Sequence, residues 1–111
     1  MPIGDLYLSS VRPKKDLGVF FEYDGKAAWF YKMDLTAPSD SQIVGAIHIF
    51  SGPFLLRESD IEIRWSADHA TPGLFICGRL WAAFSGASRF GGDYRPDHEP
   101  SVPDSVTGVF D

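Results

Sequence analysis

The chain predicts a mainly β fold, possibly α+β: an antiparallel meander of six or seven strands with at most one short helix. Three observations carry this. In "GVFFEYDGKAAWFYKMD" two β-prone runs flank Asp24-Gly25. That dipeptide suits a two-residue hairpin turn, whose central positions both need positive φ. In "DIEIRWS" apolar and polar residues alternate, as a half-buried strand requires. "GLFICGRLWAAFSG" repeats the pattern of two apolar runs about a glycine turn.

The elements follow in order. "DLYLSSV" reads as a first strand, closed by Pro13 and a turn at Lys14-Lys15-Asp16. A two-residue turn at Asp24-Gly25 would set Tyr23 against Lys26, Phe21 against Ala28 and Val19 against Phe30. Phe20, Glu22, Trp29 and Tyr31 then share the opposite face, which is also aromatic. "PSDSQIVGAIHIF" begins with Ser39 and Gln42 at capping-box spacing, which predicts a short helix over 40–46 running into a strand. Ile61, Ile63 and Trp65 face one way on the next strand. The last hairpin turns at Cys77-Gly78 or Gly78-Arg79, and one residue of slip would exchange its faces. From Gly86 onward Gly, Pro, Ser and Asp dominate, a composition that reads as disordered unless anchored. Tyr94 and Val109-Phe110 are the available anchors. Residues 1–92 are therefore expected to form one β-rich domain. Residues 93–111 are expected to form an acidic, Pro-rich segment packed on that domain or on a partner.

With 111 residues there is room for one core, which buries about two-thirds of the unfolded surface. Sixteen aromatic residues exceed what a core of this size requires, so some are free for surface contacts. No apolar run approaches the roughly 20 residues of a membrane span. "MPIGDLYLSS" lacks the basic start and apolar stretch of a signal peptide. The single Cys77 excludes an internal disulfide and a cysteine-rich zinc site, so a cytoplasmic protein is expected. Charge is uneven: residues 1–92 sum to −1, whereas Arg95 against Asp93, Asp97, Glu99, Asp104 and Asp111 gives the remainder −4. An acidic segment of this kind repels nucleic acid and suits a basic partner.

Chemistry is most concentrated in "WSADHA", where Ser66, Asp68 and His69 fall within four positions. A hydrolytic triad needs three groups converging on one atom, usually from separate elements. A strand end followed by Thr71-Pro72-Gly73 instead suggests turn bonding by Ser66 and Asp68. His48 lies among apolar residues and reads as a hydrogen-bonded sheet histidine. His98, between Asp97 and Glu99, lacks a scaffold that would converge metal ligands. Cys77 reads as a small apolar residue, and the glycines at 86, 91 and 92 form no phosphate loop. No metal or cofactor is therefore expected.

Taken together, "GVFFEYDGKAAWFY", "IVGAIHIF" and "IEIRWSADHATPGLFICGRLWAAFS" resemble small uncharacterised bacterial proteins of the polymorphic-toxin immunity type, over residues 18–85. Asp24, Gly25, His48, Trp65 and Ser66 match in type, while Cys77-Gly78 stands where an Asn-Gly turn would be expected. The resemblance implies a toxin-neutralising protein and assigns no catalytic residue. The expected partner is a protein toxin with a basic surface, such as a nuclease, whose active site is occluded. Trp29, Tyr31 and Tyr94 would anchor it, with Asp93, Asp97, Glu99 and Asp104 opposing its Lys and Arg side chains. Two other readings stand beside this one. One is a small hydrolase using Ser66 with His69 or His48; the other is a homo-oligomer paired through the aromatic hairpin.

Overall fold

The computed structural model describes residues 6–52, 56–86, 88–95 and 102–110. Eight strands occur among them, rather than six or seven. The first sheet is a meander of β1 (Leu6–Val11), β2 (Leu17–Tyr23), β3 (Ala27–Asp34) and β4 (Ile43–Ser51). The second is a meander of β5 (Ile61–Trp65), β6 (Pro72–Ile76), β7 (Arg79–Ser85) and β8 (Ser88–Gly91). All pairings between neighbouring strands are antiparallel. One helical turn, α1 (Asp104–Thr107), follows near the C-terminus.

Period-two alternation points Val19, Phe21, Tyr23, Ala28 and Phe30 toward the second sheet, where Leu74, Ile76, Ala82 and Phe84 meet them. Phe30 and Phe84 lie 5.4 Å apart across this core. On one side of the sandwich, Trp65 Nε1 donates to Ser10 Oγ at 2.8 Å, linking β5 to β1. On the other side the chain leaving β8 crosses to the free edge of β4. Asp93 and Tyr94 donate their N–H groups to the carbonyls of His48 and Ile49. This extension satisfies backbone groups that an edge strand would leave open.

Two local expectations are corrected. The β2–β3 hairpin pairs Tyr23 with Ala28 and Phe21 with Phe30, two residues out of the expected register. Only Gly25 of the Asp24-Gly25 pair has positive φ, so the two-residue turn does not form. Asp24 Oδ1 instead accepts the N–H groups of Lys26 and Ala27, widening the loop. A slip of two preserves both faces, so the expected grouping of the hairpin's residues by face survives, and the structure shows which face is inner. The helix over 40–46 is a single 3-10 turn, Ser39–Ser41, without a side-chain cap. Ile43 begins β4 directly, because β-branched residues followed by Gly45 favour extension over helix.

The alternating strand 61–65 and the first strand lie as the sequence indicates, and of the two turns it left open the chain forms the one at Cys77-Gly78. Near the C-terminus, Val106 is buried, and the Phe110 ring meets Phe75 edge-on at 5.3 Å. These residues cover the outer side of the second sheet, where a Cβ on Gly73 would lie 2.5 Å from the Phe110 ring. No helix among the described residues is long and apolar enough to cross a membrane.

Beyond β1, Arg12 and Asp16 form a two-pronged ion pair at 2.7 and 2.8 Å, and Arg12 also donates to the His69 carbonyl. The Arg12 hydrogen bond is the main reason the Asp16 carboxyl is pulled from 3.8 to about 2. A carboxyl whose folded value is depressed stabilises the fold above its unfolded value and loses that contribution as pH falls through the folded one. Asp16→Asn should therefore flatten the decline in melting temperature between about pH 4 and pH 2 relative to the wild type. A thermal-melting series over that window checks this; parallel curves would show that the pair is not coupled to folding.

Candidate functional site: an aromatic sheet face ending at a hydrogen-bonded histidine

The solvent side of the first sheet is unusual for its aromatic content. Outward positions on four successive strands carry Tyr7, Phe20, Tyr31, Trp29 and His48, and each ring touches the next. Centroid separations are 5.5 Å for Tyr7–Phe20, 4.5 Å for Phe20–Tyr31, 6.2 Å for Tyr31–Trp29 and 5.1 Å for Trp29–His48. Tyr7 is 59% exposed and Trp29 36%. Carboxylates border this strip. Glu22 pairs with Trp29 across the hairpin, and Asp93 reaches His48. The Tyr31 hydroxyl is pushed above the ordinary phenol range, first by burial and then by the charges of Glu22 and Asp24. The second cause places the negative charge of Glu22 and Asp24 near the Tyr31 hydroxyl.

His48 is held from three directions. Its Nδ1 lies 3.3 Å from Asp93 Oδ1, its Nε2 lies 2.8 Å from Ser51 Oγ, and Trp29 packs edge-on against the ring. The meeting of His48 with Ser51 has a specific backbone cause. Residues three apart on a regular strand point to opposite faces. Between Ala28 and Trp29 the register shifts, so the partners pass from Phe50 to His48 and skip Ile49. The bulge turns Ile49 and Phe50 both inward and returns Ser51 to the face of His48.

Asp93 is placed by an equally local device. It adopts a left-handed φ of 55°, and its N–H donates to the His48 carbonyl at 2.6 Å. Arg95 lies 3.7 Å from its second oxygen. A cleft of about 290 Å³, lined by Ala46, Ile47, His48, Arg89, Gly91 and Asp93, opens beside the imidazole.

Of the expected partner-binding residues, Trp29, Tyr31 and Asp93 belong to this one face. Tyr94 instead packs against the core, 5.0 Å from Trp81. Asp104 lies in the first turn of α1, on the outer side of the second sheet, so it does not join them. Asp97 and Glu99 fall outside the described residues, as does His98.

"WSADHA" is turn chemistry. Ser66 is buried; its hydroxyl donates to Asp68 at 2.6 Å and accepts the Thr71 N–H. Asp68 also accepts the Ala70 N–H, and these bonds lower its carboxyl below the usual range, the Ser66 bond most. His69 takes the left-handed position that closes the turn, its N–H on the Ser66 carbonyl. Among the described residues no group of three or more His, Cys, Asp or Glu could hold a metal ion.

A family model described as an uncharacterized protein conserved in bacteria, DUF2251, matches residues 2–97. The chain belongs to this family. Neither the curated proteins nor the solved structures contain a match. The DUF2251 match spans both sheets and includes the aromatic strip, His48, Ser51 and Asp93; α1 lies beyond it. It carries no link to toxin immunity, so the resemblance stands only as far as an uncharacterised bacterial family.

Proposed function

We propose that this protein is an immunity-type binding module that docks a basic protein on the aromatic face of its first sheet and occludes that partner's active site. One observation carries the reading: the unbroken run of rings from Tyr7 to His48 on the solvent side of the sheet, with Tyr7 and Trp29 exposed and the rings between and beside them half-buried, bordered by carboxylates. Cross-strand stacking stabilises a sheet by only about 0.2–1 kcal/mol per pair, so stacking alone is a weak reason to hold Tyr7 and Trp29 in water. A partner removes that exposure and gains from it. Aromatic faces attract Arg and Lys heads by about 0.5–2 kcal/mol each, and more as water leaves. Glu22, Asp24 and Asp93 add charge complementarity, which speeds encounter and orients the partner. A basic nuclease is the toxin class that this chemistry fits.

The experiment is capture from the native bacterium, identification by mass spectrometry, and titration of the purified pair. Trp29→Ala with Tyr31→Ala should weaken binding about 30- to 1000-fold, as expected for removal of central anchors. Asp104→Asn, on the opposite side, should leave affinity within twofold. Full affinity in the double variant would remove the aromatic face from the interface.

A further inference from the structure

Ser51, His48 and Asp93 are arranged for a use independent of any protein partner. We infer that they form a nucleophile–base–acid relay able to cleave activated carboxylic esters, with Ser51 Oγ as the nucleophile. The order of contacts is the one acyl transfer needs. The hydroxyl lies 2.8 Å from His48 Nε2, and Asp93 stands 3.3 Å behind Nδ1. With the Nδ1 proton facing the carboxylate, Nε2 is free to accept the serine proton.

Three features of the backbone and packing preorganise this relay. The bulge skipping Ile49 brings Ser51 to the histidine. The left-handed Asp93, bonded through its N–H to the His48 carbonyl, fixes the acid. The edge of Trp29 fixes the plane of the imidazole. A strained non-glycine residue and a bulge converging on one side chain are devices that proteins concentrate at working sites. Arg95 Nη2 lies 3.7 Å from Asp93 Oδ2, and Ser51 is exposed, so an ester can reach its hydroxyl from solvent.

The chemistry balances without any further reactant than water. Ser51 Oγ bonds to the ester carbonyl carbon while its proton passes to Nε2. The tetrahedral adduct collapses, the carbon–alkoxide bond breaks, and the alkoxide takes the proton from Nε2 and leaves as an alcohol. Water then attacks the acyl-serine, giving one proton to Nε2. Collapse releases the carboxylic acid, and Ser51 recovers its proton from Nε2. The substrate class is an ester with a flat apolar group, because the surface adjoining His48 is the ring of Trp29.

The test uses the full chain with p-nitrophenyl acetate and an alkyl fluorophosphonate, read by release of chromophore and by peptide mass mapping. The expected result is an adduct on Ser51 and ester turnover that Ser51→Ala abolishes. A positioned base contributes about 10²–10⁴-fold, so His48→Gln should slow labelling of Ser51 by at least 100-fold. Asp93→Asn should slow it less, and Ser41→Ala, in the exposed 3-10 turn, should leave it unchanged. No adduct on Ser51, or equal labelling in His48→Gln, overturns the relay. Retention of partner affinity by Ser51→Ala keeps this outcome separate from the binding reading.

Discussion

Phe30→Ala should lower the free energy of unfolding by about 3–5 kcal/mol. Phe30 is fully buried at the centre of β3, its ring 5.4 Å from Phe84 on the opposite sheet. Truncation removes a ring's worth of transfer energy and leaves a cavity between two sheets that cannot approach each other freely. Each sheet is tied through both of its lateral contacts, by Ser10–Trp65 on one side and residues 92–94 on the other. Collapse into the void is therefore limited, which puts the cost toward the upper end of the range. A domain of this size has roughly 5–15 kcal/mol in all, so the variant should lose much of its margin. Ile43→Ala, 57% exposed at the start of β4, should shift stability by less than about 0.5 kcal/mol. Urea titration of the three proteins decides it. Equal midpoints for Phe30→Ala and the wild type would mean that the two sheets do not share this core.

What the sequence reveals and conceals follows from the range of the forces involved. The faces of the β2–β3 hairpin were legible because burial acts on every second residue. Its register was not, because Asp24 captures two backbone N–H groups and enlarges the turn, a choice made by one side chain. The 3-10 turn at 39–41 carries the spacing of a capping box but no side-chain cap, since β4 draws the following residues into a ladder. Alternation put Trp29 and Tyr31 on one face, and the surplus of aromatics in the chain made them surface candidates. His48 could be noticed, but not with Ser51: strand periodicity separates residues three apart, and nothing local announces the bulge. Asp93 could be counted as an acid. Its meeting with His48, 45 positions away, depends on how the chain leaves β8. Gly91-Gly92 before Asp93 was the available signal, because adjacent glycines mark a place where backbone must pass close to backbone.

That passage yields the second large effect. Gly92→Ala should cost about 3 kcal/mol or more, and it should also pull Asp93 from His48. Gly92 has φ +79°, and a Cβ there would lie 2.4 Å from Ile47 Cγ2 and 2.5 Å from the His48 carbonyl oxygen. The left-handed backbone alone costs a non-glycine residue about 1–2 kcal/mol. The overlap with a strand carbonyl adds about 1–3 kcal/mol, since backbone moves less readily than a side-chain tip. Gly78 supplies the control: it has nearly the same φ, +80°, but no atom lies within 4 Å of its added Cβ. Gly78→Ala should therefore show the conformational cost without the overlap, and the difference between the two variants isolates the close approach. Denaturant midpoints measure that difference. The chemical shift of the Asp93 amide, which now donates to the His48 carbonyl at 2.6 Å, reports whether the crossing segment has lifted. If Gly92→Ala is no worse than Gly78→Ala, residues 92–94 do not lie against β4. The same result would remove the acid from behind His48, so one pair of alanine substitutions tests both the closure of the sandwich and the geometry of its relay.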